Sequence, residues 1–220
     1  MGHLPRLPRE LTALVPAAAA WVLLFAAPLA YFFMISFWSV PSTAQQPPAL
    51  SVKPVVEKRL KELPQGPLFW RIETLPTLAE AQTVAGPTAL AAEISGKVWL
   101  FTLGSKGGAT PGAAMVGEIG PVPPVQAPEY LLRINHASGP PGARTPPHSH
   151  PGSEAFYVLK GRLGQRTPHG IVHADAGAAM NGHGADMPME VFSAGTVDLD
   201  QLVMFVVDAT RPFSSPARVE

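Results

Sequence analysis

Two histidines and a glutamate in the second half of the chain are the residues best suited to chemistry. His148 and His150 are separated by one residue, and Glu154 follows after the short segment 151–153. Side chains of a β-strand alternate between its faces, so two histidines at this spacing point to the same side. If the chain turns after His150, Glu154 starts a returning strand and can face the same space. Two imidazoles and one carboxylate then form a three-ligand face of the kind that holds Fe(II) and similar ions.

Histidines are concentrated around this stretch. The chain has seven histidines, and six of them fall within residues 136–183, namely His136, His148, His150, His169, His173 and His183. The sequence contains no cysteine, so thiolate ligands, cysteine nucleophiles and disulfides are excluded. The region therefore predicts a divalent metal site built from imidazole and carboxylate groups. Iron, manganese, nickel and zinc all accept such ligands, and the sequence does not distinguish among them.

The spacing of these residues resembles the first motif of the cupin family. In that motif a glycine is followed, after five residues, by His-x-His, then by a glutamate after three or four residues and a glycine after six more. Gly142, His148, His150, Glu154 and Gly161 occupy these positions in this chain. The resemblance implies a small jelly-roll β-barrel with a metal inside its mouth, held by the two histidines and the glutamate. It extends over about residues 130–208.

The second cupin motif is where this sequence departs from the family. The family pattern is Gly, five residues, Pro-x-Gly, two residues, His, three residues and Asn, and the matching stretch begins at Gly177. Counted from that glycine, His183 falls at the proline position. Counted back from the Ser-Ala-Gly end, Met189 falls at the histidine position. The fourth ligand is therefore His183, whose flanking glycines would let its loop fold inward, or Glu190 beside the expected position, or it is absent.

The remaining pattern predicts an all-β fold. Short runs rich in β-branched and aromatic residues recur about every ten residues and are separated by Gly, Pro and Asn turns, as in sandwiches and barrels. Among them, 89–104 predicts a hairpin about Ser95 and Gly96. Two segments predict helices: 55–63, with its apolar residues on one helical face, and 77–86, with Thr77 as N-cap. We expect one barrel from about residue 67 to residue 208.

The first part of the chain predicts a membrane helix. No charged residue occurs between Glu10 and Lys53, and residues 11–40 are predominantly apolar. A helix that crosses the bilayer core needs about 20 such residues. Arg6 and Arg9 precede the run, which places the N-terminus in the cytoplasm and the barrel outside it. The segment is an uncleaved signal anchor, or a signal peptide cleaved near residue 44, which would make the protein secreted. The barrel is cytoplasmic if the segment is a misplaced start.

These patterns divide the chain into six parts. They are a cytoplasmic n-region (1–10), the membrane segment (11–40), a proline-rich linker (41–54), a helix-and-strand extension of the barrel (55–125), the cupin domain (126–212) and a tail (213–220). Sixteen basic and sixteen acidic residues balance each other, and no basic stripe is present, so no nucleic-acid partner is expected. Oligomeric state stays open, although cupins are commonly dimers and the strands before Gly142 could supply an exchanged edge.

Three classes of function fit the resemblance. The barrel could be a metalloenzyme, such as a metal-dependent dioxygenase or isomerase, acting on a small molecule. It could instead be a non-catalytic module that binds a small ligand, or a structural domain with a vestigial site. The complete first motif argues against a vestigial site, and the irregular second motif leaves open whether the chain is an enzyme. The fold alone does not decide, because one fold serves many activities.

Overall fold

The computed structural model describes residues 46–220, so the predicted membrane segment 11–40 lies outside the described residues. No helix within the described range is long and apolar enough to span a bilayer. This range is mostly β-structure with one short helix, in agreement with the predicted jelly roll. The elements are β1 (Ser51–Leu60), β2 (Phe69–Leu75), α1 (Leu78–Val84), β3 (Ala89–Ile94), β4 (Lys97–Gly104), β5 (Ala114–Ile119), β6 (Tyr130–Gly139), β7 (His148–Ser149), β8 (Gly152–Lys160), β9 (Arg162–Thr167), β10 (Gly170–Asp175), β11 (Ala179–Asn181), β12 (Glu190–Ser193), β13 (Leu199–Asp208) and β14 (Ser215–Pro216).

A five-stranded sheet lies in the middle of three layers. Its strand order is β1-β6-β13-β8-β11, and every pairing in it is antiparallel. On one side the three-stranded sheet β10-β9-β12 packs against it, and these two sheets are referred to below as the barrel. On the other side lies the four-stranded sheet β3-β4-β2-β5. The short pair β14-β7 lies at one end of the barrel and carries His148.

Burial on both faces explains the composition of the central strand β13. Its sequence is a nearly continuous apolar run, which is typical of a strand without a solvent face. Leu202, Met204 and Val206 belong to the core shared with the four-stranded sheet. Val203 and Phe205 belong to the core inside the barrel. The alternation of side chains along one strand therefore links both cores.

The predicted helix at 55–63 is wrong, because this segment forms most of β1. Val56, Lys58 and Leu60 are the half-buried residues of an otherwise exposed strand, which is an alternation with a period of two. A short amphipathic run fits a helical and a strand period almost equally well, and two adjacent valines favour the strand. Pro54 is accommodated because β1 is an edge strand with a register shift at that point.

The extension before the cupin motif contains the second predicted helix and the predicted hairpin, and both are confirmed. In α1, the Thr77 side chain accepts from the Glu80 backbone N–H and the Glu80 carboxylate accepts from the Thr77 N–H, forming a capping box. Ser95 and Gly96 both have positive φ and join β3 to β4 in a two-residue turn. The strands of this region form the separate four-stranded sheet, whereas the sequence predicts that they belong to one barrel.

Candidate metal centre

The barrel encloses an apolar cavity of about 350 Å³ that contains the first motif. Its floor is the inner face of the five-stranded sheet, where strand register sets three rows of side chains across β8, β13 and β6. The rows are Glu154–Phe205–Arg133, Phe156–Val203–Asn135 and Val158–Gln201–Ala137. His148 and His150 lie at the wall of this cavity, and Glu154 lines it too. The structure therefore brings three of the four predicted ligands to one cavity.

The two histidines lie side by side and are held by backbone carbonyl groups. Their ring centroids are 4.9 Å apart. The Nδ1 atom of His148 lies 2.8 Å from the Pro146 carbonyl oxygen, and that of His150 lies 2.6 Å from the Phe213 carbonyl oxygen. A carbonyl oxygen can only accept, so Nδ1 carries the proton and donates in both rings. Each Nε2 then keeps its lone pair, which is the arrangement of histidines that bind a metal.

Burial keeps both imidazoles neutral. It lowers the pKa of His148, against the opposing effect of the hydrogen bond to Pro146. Burial also lowers the pKa of His150 to about 4, with smaller contributions from the nearby charges of His148 and Arg133 and an opposing effect from the Phe213 carbonyl. A neutral imidazole is the form that binds a metal, because protonation occupies the lone pair. At neutral pH the pair therefore needs to lose no proton before it binds an ion.

Glu154 is a buried carboxyl group without a cationic partner. Its residue is 2% exposed, and its Oε1 accepts a hydrogen bond of 2.6 Å from Gln165 Nε2. Burial raises the pKa of Glu154 to about 8, although the Gln165 hydrogen bond opposes this rise. A carboxyl group in such surroundings is neutral at pH 7, whereas a nearby cation would favour the carboxylate. A cation bound beside Glu154 would therefore favour its ionised form.

The imidazole and carboxyl groups of His148, His150 and Glu154 suit a divalent ion, although the three side chains do not converge on one point. Within residues 46–220, no three His, Asp or Glu side chains lie close enough together to hold a metal ion. Glu154 is turned to Gln165, which is fully buried and also lies 3.5 Å from the Met189 sulfur. The adjacent Nε2 lone pairs and the buried carboxyl group without a cationic partner are nevertheless what such a site requires. The Gln165 hydrogen bond uses Oε1 of Glu154 and leaves Oε2 available to an ion.

Met189, rather than His183, lies beside the histidine pair. The backbone of Met189 exchanges two hydrogen bonds with that of His148, of 2.9 and 2.8 Å, and its side chain is buried. His183 does not line the cavity, and its ring centroid lies 6.3 Å from that of His169. His183 as the fourth ligand stays a prediction. Glu190 faces away from the cavity and pairs with Arg144 and Arg166 at 3.2 and 3.6 Å.

Several residues of the site are not predicted from the sequence. The segment 213–220, assigned above to a tail, supplies Phe213, Ser214 and Pro216 to the cavity wall. The ring of Phe213 packs against His150, with centroids 4.7 Å apart, and lies 4.1 Å from the Arg133 guanidinium. Gln165 could have been found, because it alternates with Leu163 and Thr167 on the buried face of β9. The short tail carries no period that would place it.

No protein-family model matches this chain, and no curated protein matches it. Several of the solved structures that it resembles are cupin or double-stranded β-helix proteins. A cupin superfamily protein from Desulfitobacterium hafniense is 14% identical with a TM-score of 0.32, and the match covers 35% of this chain and 68% of that one.

Two further neighbours carry the names of enzymes. A DMSP lyase from Ruegeria pomeroyi is 19% identical with a TM-score of 0.35, and the match covers 40% of this chain and 44% of the lyase. A polyketide cyclase from Streptomyces resistomycificus is 21% identical with a TM-score of 0.34, and the match covers 40% of this chain and 62% of the cyclase. The match therefore spans less than two thirds of either enzyme.

Proposed function

We propose that the barrel is a metal-binding cupin domain that acts on a small molecule held in its cavity. The observation that carries the proposal is the histidine pair at the cavity wall. Two neighbouring imidazoles each donate Nδ1–H to a backbone carbonyl group and keep Nε2 free, 4.9 Å apart between ring centroids. Backbone carbonyl groups that fix the tautomer in this way are what orient the histidine ligands of metal sites.

His148, His150 and Glu154 would hold the ion in this proposal. A divalent ion bound by two imidazoles and a carboxylate supplies Lewis-acid activation of an oxygen-bearing substrate. The chain itself supplies orientation and exclusion of water. Phe205 and Phe213 pack against His150 with ring centroids 4.9 and 4.7 Å away, and Gln165 positions Glu154. The predominantly apolar wall favours a substrate with a hydrocarbon part.

A non-catalytic module that binds a small ligand is the second candidate. Met189 lies where the family's second motif has its histidine, and a thioether is a poor ligand for hard divalent ions. With a thioether at this position the ion has three protein ligands, and in a binding module a small molecule would occupy its open coordination position without being converted. An enzyme and a binding module share the same site and differ in turnover.

Metal analysis of variants tests the proposed site. We expect the purified full-length protein to bind one divalent ion per chain, and His148→Ala or Glu154→Ala to lower metal affinity about 100-fold or more, since each removes one of three ligands. The measurements are elemental analysis after dialysis and competition with a chelator. His136→Ala is the matched control, because His136 pairs with Asp200 away from the cavity.

Unchanged metal stoichiometry and affinity in both variants would reject the site. His183→Ala in the same series tests the remaining predicted ligand, and a loss equal to that of His148→Ala would place His183 at the metal. For the loaded protein, an O₂-uptake screen with small oxygenated compounds separates a dioxygenase from a binding module. Consumption of O₂ that depends on both metal and compound supports the enzyme, and binding without turnover supports the module.

A further inference from the structure

The end of the cavity far from the histidines contains a buried amide oxygen with no partner. Gln201 lines the cavity and is 1% exposed, and its Oε1 has no hydrogen bond. Among the lining residues in the described part of the chain, it is the one whose fully buried polar atom is unpaired. A buried acceptor without a donor lowers the stability of the fold, because it has lost its hydrogen bonds to water without replacement. A ligand that supplies the missing donor would explain why this acceptor is unpaired.

Other buried polar groups of the cavity already have partners. Asn135 Oδ1 accepts from Arg133 Nε at 2.9 Å. Glu154 Oε1 accepts from Gln165, and His150 donates to the Phe213 carbonyl oxygen. Of the three rows, Gln201 is therefore the member with a fully buried, unpaired acceptor, and that acceptor is not part of the proposed metal site.

Strand register fixes the separation of Gln201 from the proposed metal site. Gln201 is paired with Val158 on β8, and Phe205 is paired with Glu154. Four residues along a strand correspond to about 13 Å at roughly 3.3 Å per residue. Between these two rows lie Phe156, Val203 and Asn135, with Val191 on the opposite sheet. Asn135 is the polar member of this row, and its Oδ1 already accepts from Arg133. A register shift lies directly beside Gln201, and such bulges re-aim side chains next to sites.

We propose that the cavity takes an elongated, mostly apolar ligand whose oxygen-bearing end lies at the metal and whose other end carries a hydroxyl or amino group that donates to Gln201. Phe156, Val203 and Val191 accommodate the hydrocarbon middle, and the two polar ends set the orientation of the molecule. This inference rests on the proposed function, since the near end of the ligand lies at the ion. It adds to the proposed function a prediction of the polarity and length of the ligand.

A pair of isosteric probes tests the far end of the cavity. In 8-hydroxyoctanoate a hydroxyl group replaces the terminal methyl group of nonanoate, and both carry a carboxylate for the metal end. Binding to the zinc-loaded, full-length protein is measured by titration calorimetry. We expect the hydroxy acid to bind about tenfold tighter than nonanoate, because one buried hydrogen bond to an otherwise unpaired acceptor has about that effect.

Substitution of Gln201 should reverse this preference. In Gln201→Leu the pocket end becomes apolar, so nonanoate should bind tighter than the hydroxy acid. Gln201→Glu keeps an acceptor and should keep the preference for the hydroxy acid. Gln82→Leu, the same change at an exposed position of α1, is the matched control and should leave the preference unaltered. Gln201→Leu should unfold at an equal or higher denaturant concentration, because it removes an unpaired buried amide oxygen.

Any one of several results would overturn the inference. These are an unchanged probe preference in Gln201→Leu, a failure of both probes to bind the zinc-loaded protein, and a lower unfolding midpoint for Gln201→Leu, which would mean that the barrel itself pairs the amide. Zinc affinity measured on the same samples distinguishes a failure of this inference from a failure of the proposed metal site. If the wild-type protein binds zinc but binds both probes equally, the proposed metal site stands and the proposed role of Gln201 is rejected.

Discussion

The two faces of strand β13 share one backbone and differ in the polarity of their buried side chains. Leu202, Met204 and Val206 face the four-stranded sheet, and all three side chains are buried in an apolar core. Gln201, Val203 and Phe205 face the barrel cavity, where one amide oxygen is unpaired and the neighbouring Glu154 has no cation. Unmet polar groups cost free energy wherever they are buried. The buried side chains of β13 on the sealed face are all apolar, whereas those on the cavity face include Gln201. This difference indicates that the sealed face supports stability and the open face supports binding.

The largest expected effect concerns the sealed face. Leu202→Ala should lower the free energy of unfolding by about 2–5 kcal/mol, because it leaves a void in a packed core. Val203→Ala, its neighbour on the cavity face, should cost less, because its side chain already borders open space. Urea unfolding of both variants measures the difference. An equal loss in the free energy of unfolding for the two variants would contradict the distinction between the faces. A larger loss of metal affinity in Leu202→Ala than in Val203→Ala would also contradict it.

A smaller effect should appear in the pH dependence of the metal-free protein. The pKa of Glu154 is raised from 4.5 to about 8 in the fold, so the folded state holds a proton that the unfolded chain has lost. Stability is then lost as pH rises through this window. The lowered pKa of His150, from 6.5 to about 4, acts in the opposite direction and only below about pH 6.5. Between pH 6.5 and 8 the free energy of unfolding should fall by up to about 2 kcal/mol.

Denaturant midpoints at pH 6.5 and pH 8 measure this fall. Glu154→Gln should abolish it, because an amide does not titrate. The matched control is Glu93→Gln, at the exposed position of the largely buried strand β3, which should leave the fall in place. Saturating zinc should also remove it, since a bound cation favours the carboxylate. A pH dependence that is the same in Glu154→Gln and in the wild type would assign the effect to other groups and would weaken the open-face interpretation.

The smallest expected effect is a gain in metal affinity. Met189→His places an imidazole beside His148, where the backbones of the two residues already exchange hydrogen bonds. A fourth ligand should raise metal affinity about tenfold or more. Met115→His, at an exposed position of β5, is the matched control and should change nothing. If Met189→His leaves affinity unaltered while His183→Ala lowers it, the loop histidine is the fourth ligand and the strand position is not.

The candidate site was predicted from the sequence as far as local geometry allows. His148, His150 and Glu154 are close in the chain, and strand alternation with one turn suffices to direct them to one cavity. Met189 could be weighed against His183 by counting from either end of the second motif, but counting does not show which loop folds inward. The structure places Met189 beside His148 and His183 beside His169.

Residues that the sequence did not reveal are those whose role depends on distant partners. Phe213 lies 63 residues from His150, and only the closure of the C-terminal segment against β7 brings its carbonyl group to the imidazole. Gln201 differs from its neighbours in β13 by being polar, but the absence of a partner is a property of the packed barrel. Segment 55–63 was predicted as a helix because nine residues cannot distinguish the two periods.

The sequence by itself therefore determined the strand-rich class of the described domain, the alternation that orients the first motif and the chemistry of the ligands. These properties follow from residue type and from spacings of a few residues, which short-range backbone geometry controls. The tertiary structure decided that β1 is a strand, that the extension forms its own sheet and that the tail lines the cavity. It also decided which buried polar groups stay unpaired. Each depends on contacts between residues far apart in the chain, whose free energy exists only once the layers have packed.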